Sequence, residues 1–124
     1  LGSVTNTTEN MHYTSSGKAM LAYLPDEFLE AYLSKPLTAS TSNTITDPDL
    51  LRAEIMRIRE KGYATDNMED MVGISCVAVP ILDRSKNVLG ALSISGPSPR
   101  FSDDRVKELA ALLKEHVRVI QSGM

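Results

Sequence analysis

The sequence is poor in cysteine, in clustered positive charge and in long apolar runs, and each shortage closes off a class of protein. A single cysteine, Cys76, cannot form an internal disulfide, which fits a reducing, cytoplasmic setting. No apolar run approaches the ~20 residues that span a bilayer, so no membrane partner is expected. Lys and Arg number 13 against 16 Asp and Glu, for a formal net charge of −3 with no basic block. Gripping nucleic acid takes a clustered positive surface, so the chain by itself is not expected to hold DNA. No internal repeat or low-complexity tract interrupts the 124 residues, enough for one domain around one core.

What is present centres on Gly62 to Pro97. Two apolar, β-branched runs, Ile74–Leu82 and Val88–Ser95, flank the polar connection Arg84 to Asn87, the pattern of a β-hairpin. With Asp83 opposite Val88, counting back pairs Ile81 with Gly90, Val79 with Leu92, and Val77 with Ile94. The other face pairs Leu82 with Leu89, Pro80 with Ala91, Ala78 with Ser93, and Cys76 with Ser95. Val77, Val79, Ile81, Leu92 and Ile94 then form a bulky face suited to a core. Cys76, Ala78, Ala91, Ser93 and Ser95 form a face of small, partly polar side chains. Such a face suits close packing by a helix, with the serines bonded to backbone. It also suits a ligand met by two hydroxyls and a thiol.

Earlier in the chain, 1–11 reads as a loop, with a strand conceivable at Ser3–Thr5 and a short extended piece at His12-Tyr13. Thr14, Ser15 and Ser16 are good N-caps and open a first helix running to about Leu24. A second helix is expected over Glu27–Ser34, with Phe28, Leu29, Tyr32 and Leu33 as its apolar stripe. Asp47-Pro48 starts a third, with Leu51, Ile55 and Ile58 on one face and Gly62 at its end. Tyr63–Asp66 reads as a short strand. After the hairpin, Gly96-Pro97 breaks the sheet and Ser102 caps a long last helix carrying Val106, Leu109, Ala110, Leu113, Val117 and Ile120 along one face.

Taken in order, SSGKAMLAYL (15–24), TITDPDLLRAEIMRIREKGYATD (44–66), GISCVAVPILD (73–83) and GALSISGPSPRFSDDRV (90–106) resemble the C-terminal effector-binding domain of IclR-type transcriptional regulators. The likeness covers about Met11 to Gln121; it lies in the ordered set, since no single motif is specific. The resemblance implies an α+β fold, a GAF-like domain whose antiparallel sheet is flanked by helices on both faces. It assigns residues 12–122 to that domain and 1–11 to a loop or truncated start, with one wall of the pocket outside the chain. It implies no cofactor and no metal, and a small organic acid as effector, such as a 2-oxo acid or an aromatic carboxylate. Its ligand positions fall on Ser15, Ser16, Asp66, Ile74, Cys76, Ser93 and Ser95, four of which the register had already placed on one face. Relatives assemble as dimers or tetramers and meet operator DNA through an N-terminal winged helix-turn-helix, absent here. Phe28 and Tyr32 on the second helix, and Leu112 and Val119 on the last, are candidate assembly surfaces.

Two other chemistries use some of the same residues. Cys76 could serve as a nucleophile with His12 as base, but no helix N-terminus or cation stands near it in sequence to lower its pKa. Asp66, Cys76 and His12 could hold a metal, but their spacing matches no zinc signature, and His116 reads as an ordinary helix histidine. The charge balance gives the first test. In a retardation assay this chain alone is expected to leave duplex DNA unshifted. Submicromolar, salt-sensitive binding would contradict that expectation.

Overall fold

The computed structural model describes residues 10–123. The strand conceived at Ser3–Thr5 lies outside them. The elements run α1 (Ser15–Leu21), α2 (Asp26–Leu33), α3 (Pro48–Lys61), β1 (Ala64–Asn67), β2 (Ile74–Leu82), β3 (Val88–Pro97), a single 3₁₀ turn (Ser98–Arg100) and α4 (Asp103–Ser122). The three strands form one antiparallel sheet in the order β1-β2-β3.

Local chemistry starts and stops these helices. The Thr14 hydroxyl accepts from the Gly17 N–H at the head of α1, and the Asp47 carboxylate accepts from Asp49 and Leu50 at the head of α3. Pro48 occupies the first turn of α3, where its missing N–H costs nothing. Gly62 ends α3 with φ +80°, a left-handed conformation that glycine adopts without strain. Ser102 caps α4 by accepting from Arg105.

The hairpin register follows the alternation of side chains over most of its length. Val77 lies opposite Ile94, Val79 opposite Leu92, Ala78 opposite Ser93, and Cys76 opposite Ser95. It departs from it at the turn: Leu82 pairs with Val88, not Leu89, because the ladder shifts between Ile81 and Leu82. The Asp83 carboxylate, accepting from the N–H groups of Ser85 and Asn87, organises that turn, and Lys86 takes φ +66°. Smaller differences occur elsewhere. His12 and Tyr13 form a turn, not an extended piece, and α1 stops at Leu21. The first strand begins at Ala64, and β3 continues through Gly96 and Pro97. Tyr32 is half-buried against His12, so it does not contribute to an exposed face. Phe28, Leu112 and Val119 are exposed.

Helices cover both faces of the sheet, each with its own core. On the bulky face, Val77 and Val79 pack with Leu109, Ala110, Leu113 and Val117 of α4. On the small face, Ala64 and Ala78 are the sheet's contribution to a cluster made with Ala19 and Leu21 of α1, Leu29 and Leu33 of α2, and Leu51, Ile55 and Ile58 of α3. Alanines at 64, 78 and 19, all fully buried, let α1 lie close on the strands.

Gly17 is needed for the same closeness. A Cβ there would stand 2.6 Å from the Met11 carbonyl oxygen and 2.6 Å from Thr14 Oγ1. Backbone cannot yield as a flexible side chain would. Gly17→Ala is expected to cost about 1–3 kcal/mol in urea unfolding. Gly90→Ala, with nothing within 4 Å of the added atom, is expected to change stability little. Equal effects of the two substitutions would contradict this packing.

Candidate functional site

The small face carries two cross-strand rows. Ala64, Ala78 and Ser93 make one; Asp66, Cys76 and Ser95 make the other, since each pair is directly opposed in the register. The head of α1 lies over the second row, where Ser15 Oγ donates to Cys76 Sγ at 2.7 Å. Ser93, opposite Ala78, lies diagonally across from the thiol. Ile74 sits two residues before Cys76, half-buried and opposite Pro97. Ser16, on the first turn of α1, is half-buried. Capping by Thr14 satisfies the Gly17 N–H, and helix geometry leaves the N–H groups of Ser15 and Ser16 without intrahelical acceptors. The structure therefore gathers Ser15, Asp66, Cys76, Ser93 and Ser95 at one place, with Ile74 and Ser16 at its border.

The place is closed at one end and open at the other. Asp66 is only 5% exposed, whereas Ser93 and Ser95 on the edge strand are exposed. The closed end is built by residues that the sequence reading had not singled out. Lys18 has no exposed surface, and its ammonium donates to Glu69 at 2.7 Å and to Glu54 at 3.2 Å. Arg57 pairs with the other oxygen of Glu54 at 3.0 Å. The Glu69 N–H in turn donates to the Asp66 carboxylate at 2.7 Å. Glu69 is held from the other side by the connection before α3. Thr44 Oγ1 donates to the Glu69 carbonyl at 2.6 Å and Thr41 Oγ1 to that of Met68 at 2.5 Å. Lys18 is the only charged residue in Ser15–Leu24, and a lone charge on an apolar helix must find a partner if it is buried. That signal was available; the identity of the partners, far along the chain, was not.

This setting tunes the ionisable groups. Burial raises the Asp66 carboxyl, the Glu69 N–H lowers it, the Glu69 charge raises it and Lys18 lowers it, leaving it near 6. Burial also pushes the Cys76 thiol up, the Ser15 hydroxyl partly offsets this, and the Asp66 charge adds to it, so the sulfur is a neutral thiol at pH 7. Burial would raise Glu54 too, but Lys18 and Arg57 outweigh it and hold that carboxyl below the usual range. His12 is buried elsewhere, with Nδ1 at 2.7 Å from the Tyr32 hydroxyl and Nε2 at 2.7 Å from the Thr38 carbonyl. Both ring nitrogens are thus engaged away from Cys76. Among the described residues, no group of three or more His, Cys, Asp and Glu is placed to hold a metal ion, and no helix is long and apolar enough to cross a membrane. His116 is exposed on α4.

A concavity of about 340 Å³ lies beside β1 and the start of α4. Lys61, Tyr63, Thr65, Ser75, Phe101 and Lys107 line it, with Asp66 and Cys76 also on its wall. Thr65 and Ser75 alternate with Asp66 and Cys76 along their strands, so they belong to the bulky face.

Residues 6–122 match the family model described as bacterial transcriptional regulator IclR C-terminal. The HTH-type transcriptional regulator KdgR of Escherichia coli (strain K12) is 37% identical over 115 residues, which cover 92% of this chain and 44% of KdgR. The chain thus spans less than half the length of that relative. The crystal structure of the Thermotoga maritima IclR matches with a TM-score of 0.87 and 39% identity, covering 91% of this chain and 46% of that one. The inducer-binding domain of a double mutant of the PobR transcription factor from Acinetobacter, solved as a complex with 3-hydroxybenzoic acid, matches with a TM-score of 0.82. It is 25% identical and covers 90% of this chain and 65% of its own.

Lys18→Ala tests how the closed end is held. Truncation leaves Glu54 and Glu69 without their shared buried cation. An expected loss of about 3–5 kcal/mol in chemical unfolding follows from breaking a buried pair on one side. A loss below about 1 kcal/mol, the scale of an exposed ion pair, would contradict the arrangement.

Proposed function

The chain belongs to the family of C-terminal domains of bacterial IclR transcriptional regulators, and from that premise we propose that residues 12–122 form a sensor for a small organic acid. The observation that carries this reading is the polar row on the small face, buried at Asp66 and open at Ser93 and Ser95. Two hydroxyls on an open strand and a neutral thiol, whose sulfur accepts from Ser15, can donate to a carboxylate without bringing a competing negative charge. Asp66 stands at the far end, where it would face the hydroxyl or oxo group of the ligand. Ser15, Ser16, Ile74 and Cys76 complete the wall. The carboxylic acid held by the inducer-binding domain of PobR supports this ligand class.

Sensing, not catalysis, suits these groups. A nucleophilic cysteine needs a thiolate and a base. Here burial favours the thiol, and the histidine nitrogens are occupied by Tyr32 and Thr38. Binding would act by favouring one quaternary state over another, since a ligand shifts an equilibrium only by its differential affinity for the two states. Exposed Phe28 on α2 and Leu112 and Val119 on α4 offer apolar surface for a homodimer or tetramer. Operator DNA would be met by a winged helix-turn-helix outside this chain, in the cytoplasm.

Calorimetry with a panel of small carboxylates tests the site. Ser93→Val combined with Ser95→Ala is expected to abolish binding while leaving the melting temperature within a few degrees, since both side chains are exposed. Unchanged affinity in the double variant would place the ligand elsewhere.

A further inference from the structure

On the reading of the small face as a carboxylate site, the charges already buried beside it constrain what can enter. Lys18 of α1 and Arg57 of α3 are two cations shared among three carboxylates, those of Glu54 on α3, Glu69 on the β1–β2 connection and Asp66 on β1. Lys18 donates to Glu69 and Glu54, and Arg57 to Glu54. Asp66 is left with the backbone N–H of Glu69. Among the described residues no cation forms an ion pair with it. On the small face, the other elements around it add no positive charge among the described residues. From β2 comes the Cys76 thiol, and from β3 the hydroxyls of Ser93 and Ser95. From the head of α1 come Ser15 and Ser16, and from the connection the further carboxyl of Asp70. Lys61 of α3 and Lys107 of α4 line the cleft on the bulky side.

An anionic ligand would therefore arrive next to a buried carboxylate whose cluster already carries an excess negative charge. Two like charges within one low-dielectric site repel strongly, and the usual resolution is that one of them takes a proton. We propose that a carboxylate binds this face together with one proton from solvent, held by Asp66. The protonated carboxyl then donates its O–H to a ligand oxygen, a hydrogen bond in place of a repulsion. Asp66 is suited to this, because burial has already brought its carboxyl to about 6, so taking a proton near neutral pH costs little. Effector affinity thereby becomes linked to pH. Below about pH 6 the free site is already protonated and affinity is flat. Above it, each pH unit weakens binding about tenfold, until the pKa of the bound state is reached.

The test is isothermal titration of the 124-residue chain with pyruvate and with benzoate at pH 5.5, 7 and 8. Each titration is run in two buffers of different ionisation enthalpy, so that proton uptake is read directly. Expected are close to one proton taken up per ligand at pH 8, close to none at pH 5.5, and a Kd on the order of 50-fold weaker at pH 8. Asp66→Asn, which keeps an oxygen for the Glu69 N–H and offers an amide donor to the ligand, is expected to remove both the uptake and the pH dependence. Should that variant fail to fold, uptake by the wild-type chain remains decisive. Binding with a constant Kd and no uptake at pH 8 would overturn the proton coupling and leave the carboxylate site standing. No binding of either probe at any of these pH values would overturn the site and the coupling together.

Discussion

The buried ammonium of Lys18 is the constraint on which the rest of the small-face side depends. An isolated charge in a protein interior is costly, so its position requires partners, and here they come from two other parts of the chain. Glu54 ties it to α3, and Glu69 ties it to the connection between β1 and β2. The lysine can reach both only because α1 lies close to the sheet, over Ala64 and Ala78, with Gly17 against the backbone of Met11. Small residues and buried charge are thus one device. The closeness permits the ion pairs, and the ion pairs set where the head of the helix stands over Cys76.

From that placement the character of the polar row follows. Glu69, once fixed by Lys18 and by the hydroxyl of Thr44, presents its N–H to Asp66. Asp66 is then oriented and buried but, among the described residues, forms no ion pair of its own, and burial makes its carboxyl hard to ionise. At the other end of the row, nothing comparable among the described residues closes over Ser93 and Ser95. A rigid, charge-tuned end beside an open, hydroxyl-bearing end suits recognition of a small polar ligand better than chemistry on it, for burial keeps Cys76 a thiol despite the head of α1 beside it. The bulky face, sealed by α4 over Val77 and Val79, has the plainer task of holding the strands in register.

Much of this was legible in the sequence, and the limits are physical. Caps at Thr14, Asp47 and Ser102, and the glycine at 62, are local signals, and they mark the helix boundaries closely. Alternation along Ile74–Leu82 and Val88–Ser95 sorted the two faces, because one was bulky and the other small. It failed only at Leu82, where the turn chemistry of Asp83 and Lys86 shifts the ladder by one residue. Gathering Ser15 with Cys76, or Lys18 with Glu54 and Glu69, takes contacts between residues tens of positions apart, which no local pattern encodes. The same holds for His12, whose partners Tyr32 and Thr38 turn a candidate base into a structural residue.

The central claim is that a carboxylate lies on the small face, between the head of α1 and the polar row. Backbone amide chemical shifts of the isotopically labelled chain, followed during titration with benzoate, test it most directly. The account predicts that the largest changes fall on Ser15, Ser16, Asp66, Cys76, Ser93 and Ser95. Changes confined to Tyr63, Phe101, Val106 and Lys107, around the cleft on the bulky side, would contradict it.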